Sequence, residues 1–137
     1  MKSLRFKLSC IAVLAALLAL SANLAAAVTV QPDESFFTHL HTEKAMANVT
    51  VSPGRAGPVV ITIQLETADE LTLEAKSVSV TLTNPGTASQ VAQAERTDDN
   101  QWQARMSAPS PGRWMLGLGI SISDTDRVDI DSPIMIR

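Results

Sequence analysis

The chain has 137 residues, a formal net charge of −3, one cysteine and two histidines. A chain of this length forms one or at most two small domains, and a single cysteine excludes a fold held together by internal disulfides. Mild acidity without a basic cluster argues against nucleic acids and anionic membrane surfaces as partners.

Residues 1–27 have the organisation of a secretion signal. Three basic residues and no acid precede an apolar stretch from Cys10 to Leu20, and the alanines at 25–27 offer a cleavage site. We therefore expect a cleaved signal peptide and a periplasmic protein. An uncleaved membrane anchor is the alternative, because the apolar stretch approaches the length of a membrane span.

Short runs of alternating apolar and polar residues, separated by turn sequences, follow for most of the remaining chain. This period of two is typical of strands with one buried face. The predicted strands are Asn48–Val51, Val59–Leu65, Leu71–Leu73, Val78–Leu82, Val91–Arg96, Trp102–Met106, Trp114–Ile122 and Val128–Ile136. We expect an all-β domain over residues 48–137, an immunoglobulin-like β-sandwich of about seven strands. Residues 28–47 are predicted to form an N-terminal arm before it.

Two pairs of side chains indicate how the strands are oriented. Trp102 and Trp114 fall in phase with the apolar faces of their strands, so we expect Trp114 to be a packing anchor between the sheets and Trp102 to lie in or near the core. Met115 and Met135 are out of phase with the apolar faces of the last two strands. We expect these methionines to face outward, where they could form a thioether pair, cover an edge strand or contact a partner.

The two histidines lie two residues apart, at His39 and His41. Extended backbone directs the side chains of residues i and i+2 to the same face, so both imidazoles can converge on one metal ion. Met46 follows five residues later. Once Cys10 is removed with the signal, a thioether is the only soft ligand, and imidazole with thioether suits copper. The alternatives are two solvated histidines and a methionine that packs in the core.

Four segments resemble a known family of bacterial domains: Phe37–His41, Ala45–Val51, Pro53–Pro58 and Pro111–Trp114. They are similar to small extracytoplasmic immunoglobulin-like domains described as YtkA-like or CopC-like. Such domains are fused to, or encoded beside, CopD-type copper-transport membrane proteins. The stretch that joins the two histidines to the Ala-Met-Ala sequence is the most specific part of the resemblance.

The resemblance implies a non-catalytic periplasmic protein of copper resistance or delivery, with a CopD-type membrane protein as partner. By position, His39, His41 and Met46 match the candidate ligands for Cu(I) or Cu(II). In one respect the chain departs from CopC, which binds Cu(II) through the amine and ring of an N-terminal histidine. The mature chain is predicted to begin at Val28, so that arrangement has no counterpart here.

The motifs of common enzymes are missing from the sequence. There is no Gly-x-Ser-x-Gly elbow and no Gly-rich phosphate loop, and two histidines are too few for a three-histidine zinc centre. We expect no enzymatic activity. The alternative function is a metal-free, immunoglobulin-like interaction module that docks on a membrane protein complex through an exposed strand face.

Overall fold

The computed structural model describes residues 34–137. This range forms nine strands and contains no helix that could cross a membrane. The strands are β1 (Phe36–His41), β2 (Met46–Ser52), β3 (Gly57–Glu66), β4 (Ser77–Thr83), β5 (Gln90–Gln93), β6 (Glu95–Arg96), β7 (Gln101–Ala108), β8 (Gly112–Ser121) and β9 (Arg127–Ile136).

The strands form two antiparallel sheets that pack face to face. One sheet has the order β1-β2-β3-β7-β6, and the other has the order β5-β4-β8-β9. The chain passes from one sheet to the other at Ala94, between β5 and β6, where the Ala94 N–H donates to the Val78 carbonyl at 2.8 Å. The predicted immunoglobulin-like β-sandwich is confirmed, with nine strands in place of about seven.

Alternating burial along each strand builds the core between the two sheets. On β3, for example, Val59, Ile61, Ile63 and Leu65 are almost fully buried, whereas the residues that alternate with them are half-buried or exposed. Trp114 is 1% exposed and donates from Nε1 to the Ser110 carbonyl at 3.0 Å. Trp102 is also buried in the core, so both predictions are confirmed, Trp114 as a packing anchor and Trp102 as a core residue.

The predicted strand Leu71–Leu73 is wrong. Here the chain makes only one isolated bridge, between Glu66 and Thr72, and Leu71 is 65% exposed. The cause is a tight turn in which the Thr67 N–H donates to the Leu71 carbonyl at 2.8 Å. A turn this close to the end of β3 leaves too few residues to pair as a strand.

The described part of the predicted N-terminal arm is an edge strand of the sandwich. β1 pairs with β2 along its whole length, from Phe36 opposite Val51 to His41 opposite Met46. Leu40 is 6% exposed and joins the core, and this burial holds the strand against the second sheet. The predicted signal peptide and its cleavage site lie outside the described residues.

Backbone contacts at Gly54 hold the start of β1. The Gly54 N–H donates to the Glu34 carbonyl at 2.8 Å, and the Arg137 N–H donates to the Gly54 carbonyl at 2.9 Å. The Arg137 guanidinium also pairs with the Glu34 carboxylate. A Cβ on residue 54 would lie 2.7 Å from the Glu34 carbonyl oxygen, so this close approach requires glycine.

Candidate metal site at the edge of the five-stranded sheet

Both histidines lie on the outer face of β1. His39 and His41 are exposed, while Leu40 between them points into the core. Their ring centroids are 6.5 Å apart, and the ring planes are inclined by 36°. The extended backbone therefore brings the two imidazoles together on one face, as their spacing predicts.

The distance between the two ring centroids is close to the largest distance at which both rings could bind one ion. Metal–nitrogen bonds of about 2.0 Å place each ring centroid about 3.1 Å from the ion, so rings that share an ion lie at most about 6.3 Å apart. The observed separation of 6.5 Å exceeds this limit slightly. That limit applies to a linear arrangement, so a shared cation with a third ligand requires the two rings to move closer together.

Met46 is buried on the histidine side of the sheet. It lies directly opposite His41 in the antiparallel pair, and directly paired residues direct their side chains to the same face. Met46 is 7% exposed, yet it lies outside the hydrophobic core cluster, which its neighbours Ala45 and Ala47 join. The methionine is buried, as the packing alternative expects, and its register places its side chain on the face of the sheet that carries the imidazoles.

A short chain of hydrogen bonds runs from the first histidine across three strands. The His39 Nδ1 atom lies 2.6 Å from the Asn48 Oδ1 atom on β2, its register partner. The Asn48 Nδ2 group donates to Glu66 Oε2 on β3 at 3.5 Å. Asn48 and Glu66 are both half-buried, so their side chains are partly shielded from water.

The donors available to a cation are restricted. Within residues 34–137, no group of three or more His, Cys, Asp or Glu side chains is placed to hold a metal ion. Glu43 lies exposed in the turn between β1 and β2, and that turn is closed by the Thr42 N–H donating to the Ala45 carbonyl at 2.9 Å. The Met46 thioether, opposite His41 in the strand pair, is the third donor that the sequence predicts beside the two imidazoles.

Sequence reasoning missed Asn48 and Glu66 as parts of this site. The signal that could have found them is the hairpin geometry. The four residues from Thr42 to Ala45 connect β1 and β2 and place Asn48 opposite His39. Pairing of β2 with β3 places Glu66 directly opposite Met46, one row along the sheet from Asn48.

The other sheet carries exposed thioethers. Met115 is 44% exposed and Met135 is 52% exposed, which confirms that both face outward. Met115 lies opposite Pro133, and Met135 lies opposite Arg113. A shallow apolar groove of about 270 Å³ adjoins Met115, and Pro85 and Arg113 are among its lining residues.

No family model matches the chain, and no curated protein matches it. The chain is similar to the crystal structure of an engineered protein, with 14% identity and a TM-score of 0.49 over 66% of this chain and 20% of that one. It therefore spans about a fifth of that protein's length. It is also similar to a Br derivative of BhCBM56, with 14% identity and a TM-score of 0.48 over 72% of this chain and 99% of that one. At these values neither likeness identifies a family.

Proposed function

We propose that this protein binds copper at the edge of its five-stranded sheet and acts as a non-catalytic copper-handling protein of the periplasm. One observation carries the proposal. Two exposed imidazoles, His39 and His41, share one face of an edge strand, and a buried thioether lies directly opposite the second of them. Nitrogen and thioether donors together favour copper over harder ions.

The site combines a shielded donor with two accessible ones. The Met46 sulfur is protected from water, whereas both histidine rings are open to solvent on the outer side. A soft thioether favours Cu(I), and an open outer side lets a second protein supply ligands before the ion leaves. This arrangement suits transfer of an ion to or from a partner. The CopD-type membrane partner rests on the sequence resemblance.

Titration of both copper ions against a competing chelator tests the proposal. The wild type should bind one copper ion per chain. A variant with His39→Gln and His41→Gln should lose more affinity than the roughly 10–100-fold that second-sphere changes cost, because it loses first-sphere ligands. Unchanged stoichiometry and affinity in this variant would refute the assignment.

A matched control exists on the opposite sheet. Asp129 and Asp131 are exposed, have the same i, i+2 spacing and lie on the edge strand β9. The variant Asp129→Asn with Asp131→Asn removes two negative charges without touching the histidines. Its copper affinity should stay close to that of the wild type. A loss as large as that of the histidine variant would show that copper affinity depends on the carboxylates of β9 and not on the two imidazoles alone.

The second candidate function is a metal-free interaction module, and the exposed Met115 and Met135 favour it. Both lie on the outer face of the four-stranded sheet, and Met115 also lines the shallow apolar groove. Cross-linking to a CopD-type membrane protein would test this function. Loss of the cross-link in a Met115→Ala, Met135→Ala variant, together with absent copper binding by the wild type, would favour it over the first.

A further inference from the structure

We propose that Asn48 is a positioning residue that fixes the proton of neutral His39 on Nδ1 and leaves Nε2 as the free nitrogen. This inference deepens the proposed function, because a free Nε2 on the outer face of β1 is the atom that would bind a cation. The tautomer itself does not depend on copper. The inference can therefore fail or succeed independently of the metal proposal.

The orientation of the Asn48 amide follows from its neighbour. An ionised carboxylate only accepts hydrogen bonds, so the Asn48 group that faces Glu66 Oε2 at 3.5 Å must be the Nδ2 donor. The carbonyl oxygen of the same amide then faces His39. Glu66 thereby settles which end of the amide the imidazole meets, although the two atoms of an amide look alike in shape.

The proton on His39 follows from the amide. Asn48 Oδ1 is an acceptor without a hydrogen, and it lies 2.6 Å from His39 Nδ1. A hydrogen bond of this length needs a donor, so Nδ1 carries the proton. In the neutral ring the other nitrogen, Nε2, then has a free lone pair. Ligating histidines commonly donate their second ring nitrogen to a carbonyl or carboxylate in this way.

His41 lacks such a restraint. Its ring contacts the His39 ring, and within residues 34–137 the structure gives it no hydrogen bond. The two imidazoles are therefore unequal. His39 is a fixed ligand with a defined tautomer, whereas His41 is free to rotate and to exchange between tautomers. Because a shared ion requires the rings to be closer than 6.5 Å, the unrestrained His41 ring is the one that would move to complete the site.

Long-range ¹H–¹⁵N correlation spectra of the ¹⁵N-labelled, metal-free protein test the inference at a pH where both imidazoles are neutral. We expect His39 in the Nδ1–H form and His41, the internal control, in a mixture of both forms. In Asn48→Ala, His39 should become a mixture resembling His41. In Asn48→Asp, which keeps an acceptor at this position, His39 should keep the Nδ1–H form. A tautomer mixture for His39 in the wild type would overturn the inference.

Copper affinity supplies the second measurement. Asn48→Ala should lower the affinity by about 10–100-fold, the usual effect of removing an outer partner of a ligating histidine, and Asn48→Asp should restore most of it. Absence of copper binding by the wild type would refute the proposed function and leave the tautomer result standing. Full copper affinity in Asn48→Ala would refute the positioning role.

Discussion

The two outer faces of the sandwich both carry methionine, but in opposite settings. On the five-stranded sheet, Met46 is 7% exposed and lies opposite His41. On the four-stranded sheet, Met115 and Met135 are about half exposed, and Met135 lies opposite Arg113. A buried thioether on the face of the imidazoles suits a soft cation, whereas exposed thioethers offer apolar area to a partner, and the Arg113 guanidinium opposite Met135 repels a cation.

The burial and neighbours of a methionine thus decide whether its thioether is suited to binding an ion or to contacting a partner. The β1–β2 hairpin places a nitrogen donor, His41, opposite Met46. The β8–β9 pairing places the permanent positive charge of Arg113 opposite Met135. Ion binding and partner binding would then be divided between the two faces. The following predictions test this division, beginning with the largest expected effect.

Acidification should lower copper affinity at the histidine face more than any of the substitutions described below changes it. Imidazole binds a metal only when it is unprotonated, so protons compete for both His39 and His41. In the acidic range where both rings are protonated, copper affinity should fall by up to about a hundredfold for each pH unit. Chelator titrations across a pH series would measure this slope. An affinity that does not vary with pH would contradict a two-imidazole site.

Replacing the buried sulfur should change ion preference. Met46→Leu keeps a side chain of similar volume, and we expect Cu(I) affinity to fall on the order of tenfold, with a smaller effect on Cu(II). Unfolding free energy should change by less than about 1.5 kcal/mol. Met106→Leu on the core side of β7 is the matched control and should leave both affinities unchanged. Equal effects of the two substitutions would argue against a thioether ligand.

A substitution at Gly54 tests whether the backbone contacts at this residue hold the start of β1. In Gly54→Ala, the new Cβ would meet the Glu34 carbonyl oxygen, and we expect the unfolding free energy to fall by about 1–3 kcal/mol. In the control Gly86→Ala, the Cβ makes only ordinary contact with Asn84 and stability should change by less than about 0.5 kcal/mol. Urea unfolding measures both. Equal stability of the two variants would mean that β1 is not anchored at Gly54.

The methionines of the four-stranded sheet should matter least for the ion. Met115→Ala with Met135→Ala should leave copper affinity within about twofold of the wild type, and the free energy of unfolding within about 0.5 kcal/mol for each exposed site. Chelator titration and urea unfolding would measure both quantities. A large loss of copper affinity would place an ion on this face and would remove the proposed division between the two faces.

Much of the fold could be predicted from sequence because it depends on a local pattern. Alternating burial on β3, β4, β8 and β9 leaves a period of two in the sequence, and the tryptophans fall in phase with it. β1 was missed because only Leu40 is fully buried there, so the strand has almost no apolar pattern. Its existence depends on pairing with β2, which local composition does not encode.

The candidate site was only half predictable for a similar reason. The shared face of His39 and His41 follows from extended backbone alone. The placement of Met46 and Asn48 follows from hairpin register, and a shift by one residue would send both side chains to the opposite face. Glu66 joins the site from a third strand, β3, through the pairing of β2 with β3. Such contacts are set by the pairing of strands, which the residues of one segment cannot reveal.

X-ray absorption spectroscopy at the copper edge, on Cu(I)-loaded protein, tests the central claim most directly. We expect two imidazole nitrogens and one sulfur around the ion, with loss of the sulfur in Met46→Leu and of the imidazole scattering in the double histidine variant. A copper environment without sulfur or imidazole, or one that is the same in all three proteins, would contradict it.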